Sequence, residues 1–134
     1  MVSTIIDTVY LVAYLRSRDP LHRQAMEILE NLDSETKVSQ ASLIELDLLM
    51  KSRGFTDSER AKTWSILEKI IPIECIEIVT PRDLALAAML VERYSMDYFD
   101  ALIAAQCINR NARPLTTDSK IIEVVNALSS SRRA

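Results

Sequence analysis

Short apolar runs at four places along the chain have the composition and period of β-strands. The first run lies near the start and ends at Asp7, and the longest is rich in β-branched residues that alternate with polar ones. Alternation of this kind places one face of a strand against a core. The pattern predicts strands at 2–6, 37–39, 73–80 and 113–116.

Between these runs, apolar residues recur three or four positions apart, which is typical of amphipathic helices. The N-terminal signals for helices are Asp19 before Pro20, a capping box formed by Thr56 and Glu59, Pro81, and Asp97 at an N-cap position. The pattern predicts one helix directly after Asp7 and further helices at about 20–32, 41–53, 56–71, 81–91, 97–109 and 121–128.

The alternation of strands and helices predicts an α/β fold with a parallel sheet and crossover helices. In open sheets of this type, ligands bind outside the carboxyl ends of the strands. Asp7 and Asp118 follow the first and the last predicted strands, so both are expected at that edge.

The composition supports a single domain. The chain has 134 residues, of which 49% are hydrophobic, with one Gly and four Pro, and this favours long helices over turn-rich β structure. We expect one domain over 1–128 and a frayed tail over 129–134. The N-terminus has no basic region followed by a long apolar core, and no apolar run approaches the length of a membrane span, so a cytoplasmic protein without a membrane partner is expected.

Charge, cysteine and histidine content narrow the chemistry only slightly. The formal net charge is −3. If four carboxylates bind a metal, the rest of the chain carries a net charge of +1. The net charge therefore does not exclude a phosphate-bearing substrate. Cys75 and Cys107 lack a Cys-x-x-Cys partner and are expected to pack in the core, whereas His22 is expected at the surface. Trp64 is expected in the core or in a subunit interface.

Four acids stand where apolar or neutral residues would be usual. Asp7 and Asp118 lie at strand ends, and Glu45 and Asp100 lie on the inward sides of helices. Several buried carboxylates are tolerable together only if a cation neutralises them, and an all-oxygen cluster selects Mg²⁺ or Mn²⁺. The alternative is that Asp7, Asp97 and Asp118 cap helices and that the other two lie at solvated helix edges. On spacing alone, this capping interpretation is slightly favoured.

The local sequence motifs favour the metal site instead. The segments IIDTVYLVAYL, VSQASLIELDLL, YFDALIAA and PLTTDSKI, in this order, resemble the four signature segments of PIN-domain ribonucleases. The resemblance covers nearly the full length, and DALIAA is its most specific part. It implies a PIN-like three-layer α/β fold, in which a short parallel sheet of four or five strands is flanked by helices.

The resemblance also assigns the site residues. Asp7, Glu45, Asp100 and Asp118 match the family's catalytic, metal-binding acids, and the implied cofactor is Mg²⁺ or Mn²⁺. Thr116 matches the family's Thr, and its hydroxyl, and similarly that of Thr8, would orient a water or a neighbouring carboxylate. Independently of the resemblance, Asp97 lies one helical turn before Asp100 and would either join the acids or cap its helix, the cap being preferred. The chain departs from the family pattern at Lys120, where another Asp is common, and at Ile121, where an aromatic is common.

The function implied by the resemblance is that of a metal-dependent endoribonuclease, the toxin of a toxin–antitoxin pair. It further implies an RNA substrate, a homodimer, and a small antitoxin protein whose segment covers the acidic site. The alternatives are a non-catalytic PIN-like module that binds RNA or protein, and a phosphotransfer domain, which would need a second Asp where this chain has Val9. The cations nearest the acids in sequence are Arg16, Lys51, Arg53, Arg110, Arg113 and Lys120.

Overall fold

Four strands and seven α-helices alternate along the chain in the computed structural model. The model describes the backbone of residues 1–133 and the side chains of residues 1–129. The elements are β1 (Thr4–Ile6), α1 (Thr8–Leu15), α2 (His22–Leu29), β2 (Thr36–Ser39), α3 (Gln40–Ser52), α4 (Asp57–Ile70), a 3₁₀ turn (Ile73–Cys75), β3 (Ile76–Glu77), α5 (Pro81–Tyr94), α6 (Tyr98–Arg110), β4 (Arg113–Leu115) and α7 (Ser119–Arg133).

The strands form one parallel sheet in the order β3-β2-β1-β4. Because side chains alternate across a strand, Ile5 and Ile6 of the central strand β1 point to opposite faces. Ile5 belongs to a core that contains residues of α5, α6 and α7, whereas Ile6 belongs to a core built with α1, α2, α3 and α4. The predicted three-layer α/β fold is therefore confirmed, with four strands in the sheet.

Strands β1, β2 and β4 lie where the pattern predicts them, but the predicted strand at 73–80 is wrong over most of its length. Only Ile76–Glu77 is a strand. From its last residue onward, side chains satisfy the backbone in place of a neighbouring strand. Gln106 Nε2 donates to the Glu77 and Ile78 carbonyls at 3.1 and 3.0 Å, and the Val79 N–H donates to Gln40 Oε1 at 2.8 Å.

Helix α2 also differs from its prediction, since it begins at His22 and ends at Leu29. Asp19 does not cap it, because its carboxylate accepts the Leu21 N–H at 2.9 Å within the preceding turn. The His22 ring is partly buried and lies 2.8 Å from the Ala13 carbonyl, so it links α2 to α1. The capping box of Thr56 and Glu59 at α4 is confirmed.

The last helix extends further than its prediction, since its backbone is helical to Arg133. The predicted tail at 129–134 lies largely outside the residues whose side chains are described, so its fraying stays a prediction.

Cys75 and Cys107 are buried free thiols, as predicted. Trp64 packs at the edge of the core and donates its indole N–H to Asp47 at 2.8 Å. No helix of the described part of the chain has the length and apolarity needed to cross a bilayer.

Candidate metal centre

The candidate site lies at the carboxyl ends of the two central strands. Asp7 directly follows β1 and is the N-cap of α1, and Asp118 lies between β4 and α7. Glu45 is in the second turn of α3, and Asp100 is in the first turn of α6. The parallel register of β1 and β4, in which Ile6 pairs with Leu115, brings the ends of these two strands side by side.

Asp7 is almost completely buried, with 6% of its surface exposed, and both of its carboxylate oxygens accept hydrogen bonds. Oδ1 accepts the backbone N–H of Thr8 at 2.7 Å, and Oδ2 accepts the hydroxyl of Thr116 at 2.6 Å. These bonds fix the orientation of the carboxylate. Each oxygen of a carboxylate has two lone-pair positions, so both retain capacity for a further ligand.

Thr8 holds a second acid as well. Its hydroxyl donates to Glu45 Oε1 at 2.5 Å, while its backbone N–H donates to Asp7. Thr8 is 5% exposed, so its side chain has little freedom to move away from Glu45. One small residue therefore sets the distance between a carboxylate after β1 and a carboxylate on α3.

Asp118 is held by the start of the last helix. Its Oδ1 accepts the backbone N–H groups of Lys120 at 2.8 Å and of Ile121 at 3.2 Å, and its own N–H donates to the hydroxyl of Thr116 at 3.0 Å. Asp118 thus has the capping contacts that the alternative interpretation expects. Its Oδ2 has no hydrogen bond among the described side chains.

Asp97 occupies the N-cap position of α6, but its side chain forms no capping hydrogen bond. One carboxylate oxygen each of Asp97, Glu45 and Asp100 lie within 4.8 Å of one another. The sequence-based preference for a capping side chain at Asp97 is therefore wrong. The residue belongs spatially with the other acids.

The charges of these acids act on one another. Burial raises the pKa of Asp100, and the nearby charges of Asp118, Asp7, Asp97 and Glu45 raise it further, to about 7. An ordinary Asp in water has a pKa near 3.8. At neutral pH the metal-free site is therefore poised between a protonated and an ionised Asp100, and a nearby cation would favour the ionised form.

Burial also raises the pKa of Asp7 and of Glu45. For Asp7, the hydrogen bonds from Thr116 and Thr8 oppose this rise and the charge of Asp118 adds to it. For Glu45, the hydroxyl of Thr8 opposes the rise and the charge of Asp7 adds to it. These carboxylates are thus held by neutral donors and have not been neutralised by a positive group.

No Lys or Arg among the described residues forms an ion pair with any of the five acids. The donor set consists of carboxylate oxygens alone, which is what the hard cations Mg²⁺ and Mn²⁺ prefer. The residues present therefore fit a divalent metal. Their roles as ligands and catalytic groups stay predictions, because the contacts alone do not test them.

Arg110 is one of the cations nearest to the acids in sequence, but its guanidinium forms ion pairs with other residues. Its guanidinium binds both oxygens of Asp83, at 2.7 and 2.8 Å, and also contacts Glu77. It ends α6, about 15 Å along the helix from Asp100. Arg113 begins β4, at the opposite end of the strand from Asp118. Their closeness to the acids in sequence is therefore not closeness to the acidic site in the fold.

The hydrophobic pattern did not predict the interior polar residues that hold α6 in place. Gln106 is completely buried, accepts the hydroxyl of Ser39 at 2.6 Å and binds the end of β3. Asp83 is also completely buried. Burial opposes its ionisation, but the hydrogen bonds from Arg110 and Asn109 outweigh this effect and lower its pKa to about 2. A Gln in the otherwise apolar DALIAAQC stretch is the one signal that could have indicated this contact.

Val9 is partly buried and packs against the core around Ile6. An apolar side chain at this position cannot supply the second Asp of a phosphotransfer site. The structure therefore offers that alternative no support.

The fold is shared with proteins of known structure. VapC20 of Mycobacterium tuberculosis superposes with a TM-score of 0.68 at 18% identity over 89% of this chain and 92% of that chain. FitAcB of Neisseria gonorrhoeae gives a TM-score of 0.68 at 17% identity over 92% and 93%. VapBC2 of Rickettsia felis gives 0.64 at 18% identity over 92% of both chains. At this level of identity the likeness concerns the fold alone.

No curated protein sequence matches the chain significantly. Residues 4–127, however, match the family model described as the PIN domain. This match includes all four strands and the five clustered acids. The chain belongs to the PIN domain family.

Proposed function

We propose that this protein is an endoribonuclease that depends on Mg²⁺ or Mn²⁺ and is the toxin of a toxin–antitoxin pair. The observation that carries the proposal is the set of acids around Asp100 in a PIN domain, gathered without a Lys or Arg partner among the described residues. Such a group of charges is stable at neutral pH only if protons or cations neutralise it.

Asp7, Glu45, Asp100 and Asp118 would hold the cation. A divalent ion bound there supplies charge neutralisation for a phosphate and makes a water molecule more acidic. Thr8 and Thr116 keep the carboxylates oriented through their hydroxyl groups. One carboxylate of the site accepts the proton that the attacking water loses as the phosphodiester bond is cleaved.

RNA is proposed as the substrate because of the family membership and because of one structural neighbour. VapC20 of Mycobacterium tuberculosis is described as a toxin that cleaves the sarcin–ricin loop. Exposed Lys120, in the first turn of α7, is the cation nearest in sequence to Asp118 and is our candidate for contact with the RNA backbone.

An antitoxin partner is proposed because the neighbours include a toxin–antitoxin complex from Klebsiella pneumoniae, with a TM-score of 0.60 at 19% identity over 88% of both chains. An apolar groove between α1 and α3 is a suitable place for part of such a partner. It has a cavity of about 170 Å³ and is lined by Val12, Leu15, Arg16, Leu46, Leu49, Met50, Arg53 and Phe55. We also propose a homodimer, which light scattering of the purified protein would test.

The alternative function is a PIN-like module that binds RNA or protein without cleaving it. The capping bonds of Asp118 favour this alternative, because they give that acid a structural role that needs no metal. Only the proposed ribonuclease would cleave RNA; the alternative module would bind RNA or protein without cleavage.

The test is cleavage of single-stranded RNA and of ribosomal RNA by the purified full chain. We expect cleavage with Mn²⁺, none in chelator, and a loss of at least about 100-fold in Asp7→Asn and Asp100→Asn. Asp57→Asn is the matched control, because Asp57 is an exposed acid at the start of α4 and should leave cleavage unchanged. Cleavage that persists in chelator, or in both site variants, would contradict the proposal.

A further inference from the structure

Asp97 is an exposed acid whose side chain does not serve the helix that it precedes. Its backbone has the extended conformation of an N-cap residue, with φ −61° and ψ 150°, yet no N–H of the first turn of α6 donates to its carboxylate. Asp118, by contrast, accepts two backbone N–H groups at the start of α7. Capping therefore does not explain an Asp at position 97.

The surroundings of Asp97 are other carboxylates. A carboxylate oxygen of Asp97 lies within 4.8 Å of one of Glu45 and one of Asp100, and these oxygens also lie that close to each other. No ion pair with a Lys or Arg is present at any of the three among the described side chains. Three oxygens at this mutual distance can contact one ion at the 2.0–2.6 Å typical of Mg²⁺ and Ca²⁺ ligation.

We propose that Asp97 helps to hold the divalent cation, together with Glu45 of α3 and Asp100 of α6. This inference rests on the proposed function, because it assumes that the acidic site binds a metal. It adds a fifth carboxylate to the four that match the family's acids. Since Asp97 is exposed and Asp7 is buried, Asp97 extends the cation site towards solvent, where an RNA phosphate would arrive.

The test is a calorimetric titration of the full chain with Mn²⁺, together with thermal unfolding in chelator. In Asp97→Asn, the cap position keeps a residue type that caps helices as well as Asp does, and repulsion among the acids is reduced, so the melting temperature in chelator should not fall. The affinity for Mn²⁺ should fall about tenfold, because a charged ligand oxygen at the divalent ion is replaced by a neutral amide.

Two controls separate ligation from other effects. Asp97→Glu keeps the charge and should bind Mn²⁺ within about threefold of the original protein. Asp57→Asn removes an exposed charge at the start of a different helix, α4, and should change the affinity by less than about twofold. A charge effect that is independent of position would appear in Asp57→Asn as well, contrary to the proposal.

The outcomes also distinguish this inference from the proposed function. If the original chain binds Mn²⁺ and cleaves RNA but Asp97→Asn binds Mn²⁺ equally well, only the role of Asp97 is refuted. If the original chain neither binds Mn²⁺ nor cleaves RNA, both proposals are refuted. A lower melting temperature of Asp97→Asn in chelator, with unchanged Mn²⁺ affinity, would show that Asp97 stabilises α6 and would likewise overturn the inference.

Discussion

Replacing Asp100 by Asn should stabilise the metal-free protein at neutral and alkaline pH. In the folded chain, burial and the surrounding acids raise the pKa of Asp100 to about 7, from 3.8 for an unperturbed Asp. The folded state therefore binds this proton more tightly than the unfolded state does. The free-energy cost of ionising Asp100 is absent below about pH 4, grows between about pH 4 and pH 7, and is constant at higher pH.

The magnitude follows from the difference between the two pKa values. That difference corresponds to about 4 kcal/mol for a fully shielded group. Asp100 is only partly buried, so solvent screening reduces the cost, and we expect about 1–2 kcal/mol. For a chain of 134 residues, this free energy corresponds to a rise in melting temperature of roughly 3–8 °C for Asp100→Asn at pH 8.

The assay is thermal unfolding in chelator at pH 8 and at pH 5, with Glu123→Gln as the control. Glu123 is exposed on α7, so its replacement should leave the melting temperature unchanged at both pH values. At pH 5, the advantage of Asp100→Asn should be smaller than at pH 8. Added Mn²⁺ should stabilise the original chain more than the variant. A variant that is no more stable than the original chain at pH 8 would refute this account of the acidic site.

Three further predictions concern single side chains. Thr8→Val removes the hydroxyl that holds Glu45 and should lower both Mn²⁺ affinity and RNA cleavage about 10-fold or more. Thr8→Ser keeps a hydroxyl and should restore most of both. If Thr8→Val is as active as the original chain, the positioning role of Thr8 is contradicted. Asp83→Asn leaves the Arg110 guanidinium without its buried partner and should lower the free energy of unfolding by roughly 3 kcal/mol in denaturant titration, a loss that Asp57→Asn should not show. Ser95→Gly relieves a left-handed backbone with φ 56° and should raise the same free energy by about 1 kcal/mol; a decrease would show that the conformation carries no strain.

Local sequence signals were reliable where each element is stabilised by its own residues. The capping box of Thr56 and Glu59 predicted the start of α4, and the apolar spacing around Ile103 and Cys107 predicted α6. The prediction failed at 73–80, where an alternating β-branched pattern becomes only a two-residue strand. The carbonyls that would continue this strand bind Gln106, a residue about thirty positions away, and no local pattern contains that information.

For the acidic site, the sequence and its resemblance to the family's signature segments identified the acids that lie at strand ends and at helix starts. Asp7 and Asp118 are predictable as neighbours because parallel strands end at the same edge of a sheet. The sequence could not decide whether Asp97 caps α6 or faces Glu45. That choice depends on the position of α3 relative to α6, which the packing of both helices against the sheet sets.

The order of apolar and polar residues was thus sufficient for the layered α/β architecture, because each strand and helix must bury its own apolar face. Only the tertiary structure decided which charges meet. Arg110 and Asp100 lie on the same helix, yet one neutralises Asp83 in the interior and the other joins a group of acids without a cationic partner among the described residues. Electrostatic energy depends on distances in space between groups far apart in the chain, and these distances are fixed only when the helices have packed around the sheet.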